Sequence, residues 1–274
     1  MLEKVVAIYV FIDDLLQKIG HKEDDQVKVK DSEILTIGII AAFYFGSHYE
    51  KALGYVKDHK IFSNVLGKSR FCRRLHRLDE LCVDIFSQLG YVLKQMNTSH
   101  EYIMDSFPMS VCHNIRIENC RLLPKDEIYR GKCVSKREYF YGIKVLMMMT
   151  SDGIPVEFAF IPGRFADANA MHFINYDLPE GSRNISDSAF TNYFYEDMLL
   201  DIDVWHDTVR RSNSKRTEPY YRKFYKDMKR KLIETMFSVV QQKLPKRLHA
   251  TTFKGFLLKV KLWLLSFQIE RAFL

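Results

Sequence analysis

The sequence lacks the long apolar segments of membrane proteins and the paired cysteines of disulfide-rich ones. No run of eighteen uncharged apolar residues occurs, and the N-terminal stretch VVAIYVFI is followed by Asp13 and Asp14, where a signal peptide would have small residues. The five cysteines are odd in number and include no CxxC pair. We therefore expect a globular protein of the cell interior with reduced thiols and no membrane partner.

Proline and ligand-binding motifs are also scarce. No proline precedes Pro108, which suits a helical N-terminal region. There is no GxxxxGK[ST] loop, so nothing indicates a nucleotide cofactor. Cys112, His113, Cys120 and Cys133 lack the CxxC or HxxxH spacing of zinc sites, and we reject zinc binding on that ground.

Acidic residues are few near the C-terminus. Residues 207–274 contain 17 Lys and Arg against 5 Asp and Glu, whereas residues 1–206 contain 24 against 29. A positive field of this size favours a polyanionic partner, most commonly nucleic acid, and a merely solvated basic helix is the alternative.

Helical signals occupy most of the first hundred residues. DSEILTIGIIAAFYFG predicts a helix with Asp31 as N-cap that stops at Gly46, and SRFCRRLHRLDELCVDIFSQLGYVLKQM predicts a helix that starts at Ser69. The pattern changes at NTSHE. We therefore predict an all-α domain over residues 1–97 and a second domain over residues 98–274.

The second domain combines strands with helices. Strands are predicted at EYIM, YFYGIKVLMMMT, PVEFAFIPG, SRNIS and DVWHD, and helices at ADANAMHFI and NYFYEDMLLDI. The first three strands lie close in sequence, which suggests an antiparallel meander. A long basic helix and a final helix with a wide apolar face follow. The order indicates a mixed α/β sheet with helices on its faces.

Three carboxylates occupy places where they could meet. Asp105 and Asp187 each end a short strand, and Glu234 lies among apolar residues on the long basic helix. Together they would form an oxygen-rich site for Mg²⁺, and two such ions can assist an in-line phosphoryl displacement. Alternatively, Asp105 is a turn former and Glu234 pairs with Arg230, one helical turn earlier.

The stretches MDSFPMSVC, YFYGIKVLMMMTSDGIPVEF, IPGRFADANAM, DLPEGS, SDSAF, NSKR, IETMFS and LPKRLHATTFKGFLLKV carry a family resemblance. In this order they closely resemble bacterial insertion-sequence transposases with a DDE catalytic domain, and most closely the insertion-sequence family numbered nine-eighty-two. The resemblance implies a ribonuclease-H-like fold, with the first acid on the first strand, the second just after the fourth and the glutamate on a later helix. Asp105, Asp187 and Glu234 match these positions. Ser186 departs from the pattern, since glycine is more usual before the second acid.

The resemblance also implies a function. We expect a two-metal enzyme that binds terminal inverted repeats of double-stranded DNA, cleaves strands with Mg²⁺ (Mn²⁺ substituting) and joins the freed 3′-hydroxyl to target DNA. A homodimer or larger assembly on DNA, in the bacterial cytoplasm and associated with the nucleoid, is expected. The alternatives are an inactive transposase-derived DNA-binding protein and another ribonuclease-H-like nuclease.

Basic residues outside the acidic site are candidates for DNA contact. One set shares a helix face in GKSRFCRRLHRL, the other lies in VRRSNSKR, and a single arginine precedes Glu234 by one turn. We predict DNA contacts for Arg70, Arg73, Arg74, Arg77, Arg210, Arg211, Lys215, Arg216 and Arg230, with solvated basic surface as the alternative for the first set. Asp167, which follows a Pro-Gly turn, is predicted to be a helix N-cap.

Overall fold

The computed structural model describes residues 1–133, 137–210, 214–245 and 247–274. Its contacts divide the chain into two compact units, Met1–Gln88 with Pro245–Leu274, and Leu89–Leu244. The last thirty residues thus belong with the N-terminal helices, whereas the sequence analysis grouped them with the sheet. A change from helical to strand signals along the sequence marks where the first unit is interrupted. It carries no information on a later segment that packs with the first unit again.

The secondary structure follows the chain as helices, then a sheet, then helices. The helices are α1 (Leu2–Lys18), α2 (Asp31–Tyr44), α3 (Tyr49–Asp58), α4 (Lys68–Arg77), α5 (Asp79–Met96), α6 (Asp167–Ala170), α7 (Tyr193–Leu200), α8 (Tyr220–Lys243) and α9 (Phe253–Phe273). The strands are β1 (Glu101–Cys112), β2 (Arg130–Cys133), β3 (Glu138–Thr150), β4 (Pro155–Pro162), β5 (Arg183–Ser186) and β6 (Trp205–Thr208).

We call the unit of Met1–Gln88 with Pro245–Leu274 the helical unit, and helix α2 forms its centre. Beyond its first turn it is apolar on nearly all sides and contacts α1, α3, α4 and α9, so that the residues from Ile34 to Ala42 are buried. At Gly38 a Cβ atom would lie 3.1 Å from Leu75 of α4 and 3.2 Å from Leu262 of α9. Glycine therefore permits the close approach of three helices.

Two helix boundaries in this unit differ from the sequence prediction. Lys30 is the N-cap of α2, and Asp31 lies in the first turn instead. The single helix predicted from Ser69 is two helices that break at Leu78, where φ is −91° and ψ is 12°. The carboxylate of Asp79, which begins α5, accepts a hydrogen bond from Lys261 of α9 at 3.0 Å. This contact, distant in sequence, accompanies the change of direction.

The predicted mixed α/β sheet with flanking helices, preceded by a helical region, is confirmed. Five of the six strands in the described residues run in the order β2-β3-β1-β5-β6, and the sixth, β4, also pairs with β3. β1 pairs antiparallel with β3, and β3 with β4, as the meander predicted, whereas β5 and β6 run parallel to β1. The sequence analysis missed β2, which extends the sheet beside the first residues of β3.

Two further elements differ from their predictions. β1 continues through Pro108 to Cys112 and is much longer than the predicted EYIM. The helix predicted at ADANAMHFI reduces to the four residues of α6, followed by a 3-10 turn. Among the described residues, no helix has both the length and the apolar character that crossing a membrane requires.

Candidate active site

Asp105 and Asp187 occupy equivalent positions on neighbouring strands. β1 and β5 are parallel, and their last paired residues are Met104 and Ser186. Asp105 follows Met104, and Asp187 follows Ser186, so each acid comes one residue beyond the same pair. β5 ends at Ser186 whereas β1 continues to Cys112, so both carboxylates lie just beyond the point where the pairing of β1 with β5 stops.

Asp105 has an unusual electrostatic environment. Its carboxylate accepts a hydrogen bond from the backbone N–H of Ser106 at 2.7 Å. Burial, assisted by the negative charges of Asp167 and Asp187, raises the pKa of Asp105 to about 7, against the lowering effect of Ser106 and Lys144. Removing solvent disfavours the charged form, and nearby acids add repulsion. A cation at this position would relieve both effects.

Glu234 is brought to the same region by α8. The Nε atom of Arg230 lies 3.2 Å from Glu234 and 3.8 Å from Asp187, so one guanidinium spans the two acids. The side chains of Arg230 and Glu234 are 50% and 64% exposed. Arg230 thus links Glu234 on α8 to Asp187, which follows β5. In this structure its guanidinium is paired with acids of the protein itself.

Two groups of ion pairs attach α8 to the sheet. Lys226 is buried and lies 3.3 Å from Asp207, while its Nζ donates to the carbonyl of Thr208 at 3.1 Å. Three residues further along α8, Lys229 pairs with Glu101 at the start of β1. Because Lys226, Arg230 and Glu234 are spaced four apart, they lie along one face of α8. The contacts of Lys226 and Lys229 therefore hold α8, and with it Glu234, against the sheet.

The three acids do not form a compact ligand cluster here. Within the described ranges, three potential ligand atoms lie within 4.8 Å of one another at His21, Glu23 and Asp31 in the helical unit, and Asp105, Asp187 and Glu234 do not meet this distance. At the His21 cluster, Asp31 already pairs with His21 at 3.0 Å and with Arg74. A guanidinium in that cluster opposes cation binding, so we interpret it as an ion-pair network.

Asp167 does not cap a helix, contrary to the prediction. The N-cap of α6 is Ala166, and no side-chain capping bond is made. Instead, the Asp167 carboxylate accepts hydrogen bonds from the Ser106 hydroxyl and from Lys144 Nζ, each at 2.9 Å. Sequence analysis missed Ser106 and Lys144. The signal was available, because Lys144 is the single charged residue in the apolar stretch YFYGIKVLMMMT.

The arginines of α4 divide into two kinds. Arg70, Arg73 and Arg77 are exposed. Arg74 is partly buried, and its guanidinium pairs with Asp31 and donates to the carbonyl of Val29. In this structure Arg74 ties α4 to the start of α2, and the three exposed side chains remain on the outer surface of the helix.

The second basic block is largely engaged in ion pairs. Arg210, with 14% of its side chain exposed, donates to both carboxylate oxygens of Glu196 at 2.7 and 2.5 Å. Arg216 pairs with Asp197 at 2.7 Å and lies over the ring of Tyr193. Lys215 is exposed. Arg211, the remaining predicted contact, lies outside the described residues.

Comparison with known proteins identifies one family. A family model described as a transposase DDE domain matches residues 94–250, more than half of the chain. The matched segment contains Asp105, Asp187 and Glu234. No curated protein and no solved structure matches this chain.

Proposed function

Because the chain belongs to the family of transposase DDE domains, we propose that it is an insertion-sequence transposase that cuts and joins DNA with Asp105, Asp187 and Glu234. The observation that carries the proposal is the position of Asp105 and Asp187, each one residue beyond the Met104–Ser186 pair. Membership of the insertion-sequence family numbered nine-eighty-two stays a prediction.

The strand arrangement supports a ribonuclease-H-like fold. The first acid lies on the first strand, the second directly follows the fourth of the five strands that the sequence predicted, and the glutamate lies on the later helix α8. These are the positions that the resemblance implies. We further propose that the unit of residues 1–88 and 245–274 binds the element ends and that residues 89–244 carry out the chemistry.

The donor set suits Mg²⁺ and its substitute Mn²⁺. Both prefer carboxylate oxygens, and all three proposed ligands are carboxylates. Asp105 also lies where burial and neighbouring acids oppose its ionisation, so a bound cation would be favoured electrostatically. We propose that Asp105, Asp187 and Glu234 would together hold the metal ions through their carboxylate oxygens.

In the proposed reaction a water molecule cleaves a strand at the element end, and the freed 3′-hydroxyl then attacks a phosphodiester of the target. When bound, the two ions would promote ionisation of the attacking hydroxyl and stabilise charge on the leaving oxygen. The protein contributes the positions of its acids, which the ladder between β1 and β5 and the anchors of α8 hold in place. Arg230 would turn from Glu234 to a DNA phosphate.

The test is strand cleavage of duplexes that carry the terminal repeats flanking the gene, with Mg²⁺ or Mn²⁺. Asp105→Asn, Asp187→Asn and Glu234→Gln should each abolish cleavage and preserve folding and most DNA affinity, since each removes a charge and little volume. Asp227→Asn, at an exposed acid on the same helix, is the matched control and should cleave normally. Normal cleavage by any of the three variants would remove that residue from the site.

The same assay separates the alternatives. A nuclease of another kind would cleave junctions or duplexes without preference for the repeats. An inactive DNA-binding derivative would bind the repeats and cleave nothing with either metal. Two ends must be joined in one reaction, so we also propose a dimer or larger assembly on DNA, which light scattering of the protein–repeat complex would detect.

A further inference from the structure

We propose that Asp167 is a positioning residue that holds Lys144 away from Asp105 and so keeps Asp105 available to bind a cation. This inference rests on the proposed function, because it assumes that Asp105 is a metal ligand. It concerns residues outside the three acids, in a contact that the sequence pattern did not suggest.

Lys144 is held by two acceptors from the segment around Asp167. Its Nζ atom makes two hydrogen bonds, to the Asp167 carboxylate at 2.9 Å and to the carbonyl of Phe165 at 2.8 Å. The side chains of Lys144 and Asp167 are only 13% and 22% exposed. A partly buried ammonium needs such partners, because an unpaired charge there would carry a large desolvation cost. Asp167 supplies the only formal negative charge among these two acceptors.

Ser106 connects the Lys144–Asp167 pair to Asp105. Ser106 touches both acids, since its backbone N–H donates to Asp105 and its hydroxyl donates to Asp167. Lys144 pairs with Pro108 in the β1–β3 ladder, three residues beyond Asp105. The positive charge of Lys144 lowers the pKa of Asp105, so the two groups interact electrostatically, yet the hydrogen bonds of Lys144 go to residues 165 and 167.

The segment that carries Asp167 is also attached to the turn after Asp187. Helix α6 contacts the turn that follows Asp187, and the side-chain amide of Asn192 donates to the carbonyl of Ala168 at 3.3 Å. The segment is therefore joined to β1 through Ser106 and to the Asp187 turn through Asn192. This gives Asp167 a fixed place beside both strand-borne acids.

The chemical consequence follows from competition. Without the charge of Asp167, Lys144 would lose its anionic partner. Of the two carboxylates on β1, Glu101 is paired with Lys229, whereas Asp105 has no ion-pair partner among the described residues. A lysine ammonium at Asp105 would neutralise it and compete with Mg²⁺ or Mn²⁺. Mutating a residue that positions a metal-binding side chain commonly changes metal affinity by about 10- to 100-fold.

The experiment measures Mn²⁺ binding to the full-length, DNA-free protein by electron paramagnetic resonance, alongside cleavage as a function of metal concentration. Asp167→Asn should weaken Mn²⁺ affinity about 10-fold and raise the metal concentration needed for half-maximal cleavage. Lys144→Met alone should not weaken Mn²⁺ binding, because it removes the competitor. The double variant Asp167→Asn/Lys144→Met should recover most of the affinity lost by Asp167→Asn.

Glu157→Gln is the matched control, because Glu157 also pairs with a buried lysine, Lys94, at 2.6 Å in the same unit. It should lower stability and leave Mn²⁺ affinity unchanged. A double variant as weak as Asp167→Asn, or a Lys144→Met variant that itself loses Mn²⁺, would overturn the inference. Should Asp167→Asn fail to fold, the double variant, which removes both charges of the pair, is compared with Lys144→Met, and a clearly lower Mn²⁺ affinity of the double variant would overturn the inference.

Failure of the proposed function would be recognised separately. If Asp105→Asn leaves Mn²⁺ affinity unchanged, Asp105 is not a metal ligand, and both the proposed site and this inference fail. If Asp105→Asn removes binding and Asp167→Asn does not weaken it, the proposed function stands and this inference alone is wrong.

Discussion

The Nε atom of Arg230 lies 3.2 Å from the carboxylate of Glu234, one helical turn away on α8. Both side chains are at least half exposed, so the pair contributes only a few tenths of a kcal/mol to stability. The geometry therefore gives Arg230 little structural purpose. The guanidinium can therefore leave the Glu234 carboxylate and bind a DNA phosphate.

For Arg230→Ala we expect weaker binding of terminal-repeat DNA and slower cleavage, with an almost unchanged melting temperature. The measurements are fluorescence anisotropy, strand cleavage and thermal unfolding. Lys223→Ala, at an exposed lysine of the same helix, is the control for loss of a single positive charge. A large drop in melting temperature with unaltered DNA affinity would show that the ion pair is structural.

Asp105 should make the metal-free protein less stable at neutral pH. Its folded pKa of about 7 lies above the usual 3.8, so the folded state holds the proton more tightly and stability falls as pH rises through this range. Asp105→Asn should therefore be more stable than the wild type at pH 8 in EDTA, with the gain vanishing near pH 4. Urea unfolding at the two pH values measures this, and equal stability at pH 8 would contradict it.

His206 should produce the opposite dependence on pH. Burial lowers its pKa from 6.5 to about 4, so the unfolded chain binds the proton more readily between these values, and stability falls as pH drops from 6.5 towards 4. The full effect of this shift is about 3 kcal/mol. In urea unfolding, the free energy of unfolding of His206→Gln should depend less on pH than that of the wild type. His113→Gln, at an exposed histidine, should show the same pH dependence as the wild type.

The two central arginines of α4 should respond differently to removal. Arg74→Ala should destabilise the helical unit by about 1–3 kcal/mol, because it breaks charge-assisted hydrogen bonds to Asp31 and Val29. Arg73→Ala should leave stability unchanged and reduce both repeat affinity and the salt slope by about one phosphate contact. Anisotropy titrations at several salt concentrations test this; equal effects of both variants on affinity would contradict the assignment.

The neighbouring positions of Asp105 and Asp187 were accessible from sequence because both depend on local signals. A short strand-forming stretch followed by an acid is visible without any knowledge of tertiary structure. Parallel pairing of the two stretches then aligns the acids, although β1 itself continues beyond Asp105. Asp167 was misjudged for a related reason. A Pro-Gly turn followed by an acid is typical of a helix start, but Lys144, 23 residues earlier, is the partner that occupies the carboxylate.

The basic block shows the same limit. Arg210 and Arg216 were predicted to contact DNA because their basic block lies between the sheet and the glutamate helix, and this stays a prediction. Their ion pairs with Glu196, which lies on α7, 14 and 20 residues earlier, were not predicted. Ion pairs between distant elements have no periodic signature. The break between α4 and α5 also escaped prediction, since Leu78 is a good helix former and the bond from Lys261 to Asp79 comes from the far end of the chain.

The return of α9 to the helical unit sets an order of events during protein synthesis. Residues 89–244 leave the ribosome before the helix that packs against α2 has been made. The sheet can therefore form while the helical unit still lacks one of its core helices. A chain that stops at residue 244 would retain the three acids but expose the apolar surface of α2, making it a substrate for proteolysis.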